Sequence, residues 1–373
     1  MIINKAEDFI NHIVQRQYTV PPAVVRQVQT IVEAVKSKGD EAVTFYETKF
    51  NIKPANLQVP IEIMEQAIQD LDQDIRTALI QSITRVKEYH QKLPIPRTQE
   101  VTVGKSNITF DVRPLRRVGI YIPGGRASYP STVVMTAIPA QVARVDEIIL
   151  CTPPGPTGLP SAVTLAAARE CGVNKVFCCG GAQAIAAMAY GTQSIPKVDK
   201  IVGPGNTFVT AAKKEVFGIV DIDGLAGPSE AMIVLDPTVT NKVLEWCVWD
   251  LKAQFEHDPE SICVLVTTDP ELAARLAPAV QEIPGHMVVC TGGWEEVCDV
   301  IEAFAPEHLE LVGPGPESLA KSICNAGAVF VGPLSPVAMG DYIAGPSHVL
   351  PTGGSARCFS GLWTGSFLRV HSV

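Results

Sequence analysis

Apolar positions recur at helical spacing through the first quarter of the chain. Residues 24–37 carry apolar side chains three and four apart and stop at Gly39. Residues 40–50 repeat the pattern, and 61–91 extend it with few breakers, so three helices are predicted before the Pro-rich connector Leu93-Pro-Ile-Pro. From Val101 the pattern changes. Val118-Gly-Ile-Tyr-Ile, Glu147-Ile-Ile-Leu-Cys, Lys175-Val-Phe-Cys-Cys and Asp199-Lys-Ile-Val are short apolar runs followed by Gly or Pro, and helix-like stretches at 131–143, 159–170 and 182–190 lie between them. A second series starts at Ala231-Met-Ile-Val-Leu. It continues through Ile262-Cys-Val-Leu-Val, Met287-Val-Val-Cys, Leu309-Glu-Leu-Val and Ala328-Val-Phe-Val, with helices expected at 240–257, 269–281, 294–304 and 316–325.

Strands alternating with helices predict parallel sheets covered on both faces. The fold class is therefore α/β, two successive Rossmann-like doubly wound parallel-sheet domains preceded by an N-terminal helical region. The boundaries read as 1–100 for the helical region, 101–228 and 229–355 for the two sheet domains, and 356–373 for a short C-terminal tail. Sheets of this kind bind ligands at the carboxyl ends of their strands.

Composition narrows the partners. Thirty basic residues against 39 acidic give a formal charge of −9 without a dense Lys/Arg run, which argues against nucleic acid and against an anionic membrane surface. The amino terminus lacks a secretory pattern and no apolar run reaches membrane-spanning length, so a cytoplasmic protein is expected. Among the ten cysteines no two are separated by two residues. Cys151, Cys263, Cys290 and Cys324 stand in apolar contexts and are expected as reduced core residues.

The predicted helix 240–257 carries the first candidate chemistry. Thr240 suits its N-cap, and Pro259 turns Asp258 away from the helical region. Val243, Cys247, Leu251 and Gln254 share one side, with His257 about 40° from Val243 on a helical wheel. An apolar stripe thus turns polar in its last turn while facing inward, and Glu256 faces solvent. Gln254 and His257 either converge on one bound species, imidazole plus an oxygen donor suiting zinc, or the histidine is satisfied by a carbonyl at the helix end.

Two later clusters bear on that choice. Pro306 favours a turn in which Glu307 and His308 serve one site, as two bases of differing pKa suited to proton removal and water activation; as a lone dipeptide the pair is ordinary surface. Asp341 and His348 lie in a Gly- and Pro-rich loop too apolar for a plain solvent turn. Gln254, His257 and Asp341 would give zinc three N/O ligands and leave at least one position open.

Glycine turns follow three strands of the first series: Tyr121-Ile-Pro-Gly124-Gly125-Arg126, Gly180-Gly181-Ala-Gln183 and Gly203-Pro-Gly205-Asn206. Small residues let backbone approach a ligand and the helices behind offer N–H groups to an anion, although neither a Gly-x-Gly-x-x-Gly fingerprint nor a Walker lysine is present. Tight strand-to-helix turns account for each one alone. Three at the strand ends of one sheet point to a dinucleotide by fold-level analogy. Ser229, in Gly227-Pro-Ser-Glu230, either touches a ligand or belongs to a linker turn.

From about Val24 to about Arg369 the chain resembles the histidinol dehydrogenase family. The likeness rests on Gly119-Ile-Tyr-Ile-Pro-Gly-Gly-Arg-Ala-Ser-Tyr-Pro-Ser, Gly180-Gly-Ala-Gln-Ala-Ile, Val198-Asp-Lys-Ile-Val-Gly-Pro-Gly-Asn, Ala226-Gly-Pro-Ser-Glu, Gln254-Phe-Glu-His-Asp, Ala305-Pro-Glu-His-Leu, and Gly340-Asp-Tyr through His348-Val-Leu-Pro-Thr. The resemblance implies a homodimeric, zinc-containing enzyme that uses NAD to oxidise L-histidinol through the aldehyde to L-histidine. By matching positions, Tyr121, Gln183 and Asn206 contact NAD; Gln254, His257 and Asp341 ligate zinc; Ser229, Gln254, His257, His308, Asp341 and His348 surround the small-molecule substrate. Glu307 would activate water for the aldehyde step and His308 would take the alcohol proton.

The chain departs from the family pattern at two places. Its segment at 276–286 is shorter. The family also continues with a helical tail that brings a glutamate for substrate and a histidine as fourth zinc ligand into the partner subunit's site, and no position up to Val373 matches these. An incomplete zinc site is expected from that, unless the sequence is a truncation of an active enzyme. The alternatives are action on a different small amino alcohol, or a non-catalytic relative that has lost zinc-dependent activity.

Overall fold

The computed structural model describes residues 2–3, 5–14, 20–50, 52–54, 56–124, 128–257, 260–283 and 285–373. In chain order, β1 (Ile2–Ile3) and α1 (Ala6–Val14) precede the helices α2 (Pro22–Lys38), α3 (Asp40–Phe50), α4 (Ile61–Gln69) and α5 (Gln73–Lys92). The strands β2 (Gln99–Val103) and β3 (Ser106–Pro114) lead into the first alternation: β4 (Arg117–Tyr121), α6 (Pro130–Val142), β5 (Glu147–Thr152), α7 (Ala162–Glu170), β6 (Lys175–Cys178), α8 (Gly181–Tyr190), β7 (Lys200–Val202), α9 (Thr207–Val216) and β8 (Asp221–Ile222). The second comprises β9 (Glu230–Leu235), α10 (Asn241–His257), β10 (Ile262–Thr267), α11 (Pro270–Ala279), β11 (Met287–Cys290), α12 (Trp294–Phe304), β12 (His308–Val312), α13 (Pro314–Leu319), β13 (Ala328–Val331) and α14 (Val337–Tyr342). The strand β14 (Leu368–Ser372) follows two short 3₁₀ turns.

The chain divides into two compact units. The larger consists of Val20–Leu225, Tyr342–Val349 and Leu362–Val373, and the smaller of Met1–Thr19, Ala226–Asp341 and Leu350–Gly361. The larger unit holds a parallel sheet in the order β6-β5-β4-β7-β8. Renumbered within the unit this is 3-2-1-4-5, the doubly wound order with its switch point between β4 and β7. On one face α8 and α9 are covered by α2, whose buried Val28, Ile31, Val32 and Val35 fall at helical spacing. Each such aliphatic contributes about 2 kcal/mol by leaving water. On the other face α6 and α7 pack against α5 and α4.

The smaller unit repeats the arrangement. Its sheet runs β1-β11-β10-β9-β12-β13, all parallel, so the second series again reads 3-2-1-4-5, with β1 added at the edge. Every residue of β9, β10, β11 and β12 is buried, as expected for strands covered on both faces. The two doubly wound sheets predicted from the apolar runs are thus both present. No helix among the described residues is long and apolar enough to cross a membrane.

Several elements differ from expectation for identifiable reasons. The helix read over 61–91 is two helices, because the Asp72 carboxylate caps a new start by accepting from Asp74 and Ile75 N–H. The helix read over 159–170 begins only at Ala162, where Ser161 caps it behind Pro160. The helix expected at 316–325 is α13, Pro314–Leu319, and the supposed loop around Asp341 is partly helical, as α14. An antiparallel sheet, β14-β3-β2, was not anticipated. Cys151, Cys263 and Cys290 are buried free thiols as expected, whereas Cys324 is exposed.

Candidate active site

In the larger unit the predicted cofactor residues sit at the carboxyl edge of the sheet. Tyr121 ends β4, is 4% exposed, and its hydroxyl accepts from Gly181 N–H at 3.0 Å. Burial is the main reason its phenol is pushed above the usual range. Gln183, in the first turn of α8, is 2% exposed and donates its amide to Glu47 at 2.7 Å. The same carboxylate accepts from Gly180 N–H at 2.7 Å. Glu47 thus neutralises the N-terminal end of α8 from within the chain, the place where a doubly wound unit commonly receives a phosphate. Sequence reading missed Glu47 because it occupies an unremarkable position in the amphipathic helix α3. Asn206 is exposed and caps α9, accepting from Phe208 and Val209 N–H.

The glycine turns are brought together, and packing between loops explains much of their composition. A Cβ on Gly180 would lie 2.6 Å from the Pro153 side chain, and one on Gly124 would strike the same proline. Gly203, at φ +114°, has no room for a Cβ against the Tyr121 carbonyl. Its N–H donates to Asp223 at 2.6 Å, and Lys213, itself buried, bonds both the Gly203 carbonyl and Asp223 at 2.5 Å. Gly125, Arg126 and Ala127 lie outside the described residues. His348 belongs to this unit as well and is half-buried, with Nε2 3.3 Å from the Thr132 hydroxyl.

The smaller unit holds the remaining candidates, and they do not sit where the carboxyl-edge rule places a site. That edge is closed by side chains. Asp236 accepts from Thr238 N–H and hydroxyl and from Gly315 N–H, while Cβ atoms on Gly313 or Gly315 would run into Asp236 and Trp294. The candidates gather instead at the amino edge. Glu230 opens β9 and His308 opens β12, its neighbour in the sheet. Glu307 lies in the bend before β12, reached through Ala305 in the left-handed region and Pro306.

That bend lets adjacent side chains act on one group, as Pro306 suggested. The Glu307 carboxylate accepts from Glu230 N–H at 3.0 Å, and His308 Nδ1 lies 3.1 Å from the Glu230 carbonyl and 3.7 Å from Glu307. A carbonyl only accepts, so Nδ1 carries the proton and Nε2 is the basic nitrogen. Both residues are buried, at 7% and 6% exposure.

Helix α10 runs back from β9 to β10, so its last turn returns to this same edge. The Gln254 carbonyl accepts from the Ser261 hydroxyl at 3.0 Å, and the next residue, Ile262, donates to the Ser229 carbonyl at 2.9 Å. Gln254 is 8% exposed. Glu256 is exposed, as its place on the helix required. His257 closes α10, but its side chain lies outside the described ones. Asp341 is on α14, where a Cβ on the preceding Gly340 would lie 2.8 Å from the Phe330 ring. That ring is centred 6.2 Å from the His308 imidazole.

No group of three His, Cys, Asp or Glu among the described residues is arranged to hold a metal. The predicted ligand set is of another kind, a carboxamide, a carboxylate and the His257 imidazole. Its oxygen and nitrogen donors suit zinc.

A second polar pair was not anticipated. Glu310, 3% exposed in the middle of β12, is hydrogen-bonded to Asp250 of α10 and accepts from Val337 N–H at 3.1 Å. Burial first, then the Asp250 charge, pushes its carboxyl up to about 9. A charged residue within the apolar run Leu309-Glu-Leu-Val was the only signal available.

The histidinol dehydrogenase family model matches residues 14–373. A histidinol dehydrogenase of Dehalococcoides mccartyi is 45% identical over 366 residues, 93% of this chain and 82% of that protein. Another, of Methanothermobacter thermautotrophicus, is 42% identical over 381 residues, covering 98% and 88%. The crystal structure of histidinol dehydrogenase from Elizabethkingia anophelis matches the fold with a TM-score of 0.91 at 32% identity, over 100% of this chain and 89% of that one. Because the family model spans residues 14–373 and these relatives are 42% and 45% identical over more than nine-tenths of it, the chain belongs to the histidinol dehydrogenase family.

Proposed function

We propose that this protein oxidises L-histidinol through the aldehyde to L-histidine with NAD as oxidant and zinc in its site. The observation that carries the reading is the double grip on the Glu230 peptide, which sets the His308 tautomer and holds its imidazole beside a carboxylate. NAD, when bound, accepts hydride, and zinc, when bound, holds the substrate's amine and imidazole in register. The chain's own residues do the rest. His308 Nε2 takes the alcohol proton as the C–H bond breaks, and in the second stage the Glu307 carboxylate takes a proton from the water that adds to the aldehyde.

Gln254, His257 and Asp341 would hold the metal, with Ser229 and His348 against the substrate. Tyr121, Gln183 and Asn206 would serve NAD. The first two are buried and bonded within the chain, so they would support the cofactor's turn, whereas exposed Asn206 would touch it. A cytoplasmic homodimer acting on a small molecule completes the reading.

The test is to incubate purified protein with zinc, L-histidinol and NAD and to follow NADH and histidine. One NADH for each oxidation stage is the expected result. Folded, zinc-loaded protein that forms no NADH overturns the proposal, and turnover of another amino alcohol in its place would reassign the substrate.

A further inference from the structure

Glu310 offers the core nothing that an aliphatic residue would not. On its face of β12 it lies between His308 and apolar Val312, and it pairs in register with apolar Ile233, so burying an ionised carboxylate there would cost several kcal/mol. A protonated acid avoids that cost and can both donate and accept. It is bonded to Asp250 on α10, the helix that ends in Gln254 and His257. Its Oε1 accepts from the N–H of Val337, the first residue of α14, which carries Asp341. The strand holding it begins at His308, two residues earlier. A helix as short as α14 has little stability of its own and takes its position from such anchors.

We propose that Glu310, bonded to Asp250, is a positioning residue that fixes α10, α14 and β12 to one another, and so sets the spacing of Gln254, His257 and Asp341 for zinc. The inference rests on the zinc site proposed above. Its chemistry predicts which replacement works. In Glu310→Gln the amide N–H₂ donates to Asp250 while the oxygen accepts from Val337, reproducing both bonds. Glu310→Leu fills the space and makes neither. Asp250→Ala, on a half-exposed helix position, removes the acceptor while leaving the strand intact.

The experiment measures zinc affinity of the full chain by competition with a chromophoric chelator, at a temperature well below unfolding. The visible spectrum of the cobalt-substituted protein supplies a second readout that loss of stability alone does not move. Loss of a group that orients metal ligands costs about 10–100-fold in metal affinity. Glu310→Leu and Asp250→Ala are expected to weaken zinc by that factor and to change the cobalt spectrum, with Glu310→Gln within about threefold of wild type. Should Glu310→Leu fail to fold, Asp250→Ala decides. Wild-type affinity and spectrum in both disruptive variants would overturn the positioning role and leave the zinc site standing. A wild-type chain that binds no zinc would overturn both.

Discussion

Lowering the pH gives a sharp test of how the larger unit is held together. His90, on α5, is fully buried, with Nδ1 3.2 Å from the Thr364 hydroxyl and Nε2 without a partner among the described residues. Burial lowers its pKa from the usual 6.5 to about 4. The folded chain therefore refuses a proton that the unfolded chain accepts below 6.5. Stability from this group is complete above pH 6.5 and is lost as pH falls from 6.5 towards 4. One pKa unit is worth about 1.4 kcal/mol, so the full loss approaches about 3 kcal/mol, of which about 2 kcal/mol is gone at pH 5. Urea unfolding followed by circular dichroism at intervals from pH 7.5 to 4.5 measures this directly for wild type and His90→Leu. The variant lacks the titrating group, so its stability should fall less steeply with acid, the two curves diverging by about 2 kcal/mol between pH 7 and 5. Parallel curves would refute the reasoning.

Three further outcomes follow from the same structure. Gly203→Ala combines a left-handed backbone with a clash against the Tyr121 carbonyl and should lower stability by about 3 kcal/mol, whereas Gly218→Ala, also at positive φ but in open space, should cost about 1 kcal/mol, both read by thermal unfolding. Glu47→Leu strands the Gly180 N–H and the Gln183 amide in the interior and should cost about 2–4 kcal/mol, with a larger deficit than Glu47→Gln. Glu307→Gln and His308→Asn should each reduce histidinol turnover by about 10²–10⁴-fold, and supplying the aldehyde should restore activity to His308→Asn more than to Glu307→Gln.

Much of the architecture was legible because its determinants are local. The strands β4 to β7 and β9 to β13 are apolar runs cut by Gly and Pro, and α10 shows its inward stripe turning polar at Gln254, whereas the two-residue β8 gave no such signal. Pro306 marked the bend that brings Glu307 and His308 to the backbone of one residue, Glu230. What stayed hidden depends on distant partners. Glu47 gains its meaning only from the turn at Gly180, and β14 only from pairing with β3. Periodicity finds strands but does not say which end of a sheet is sealed by side chains. The candidate residues of the smaller unit therefore gather at its amino edge, where the carboxyl-edge rule did not point.

The interleaving of the two units also governs how the chain can be made and cut. Ile2 and Ile3 gain a neighbouring strand only once Val288 and Val289 have been synthesised, and Leu368–Ser372 must follow before β3 gains its second partner. Leu362 and Phe367 fill the interior beside Ile120 and Met135. A fragment severed at residue 225 would leave a hole there and an unpaired strand edge. Dissection into separately expressed halves should therefore yield aggregates, and only chains that carry the last segment back to β3 should remain in solution.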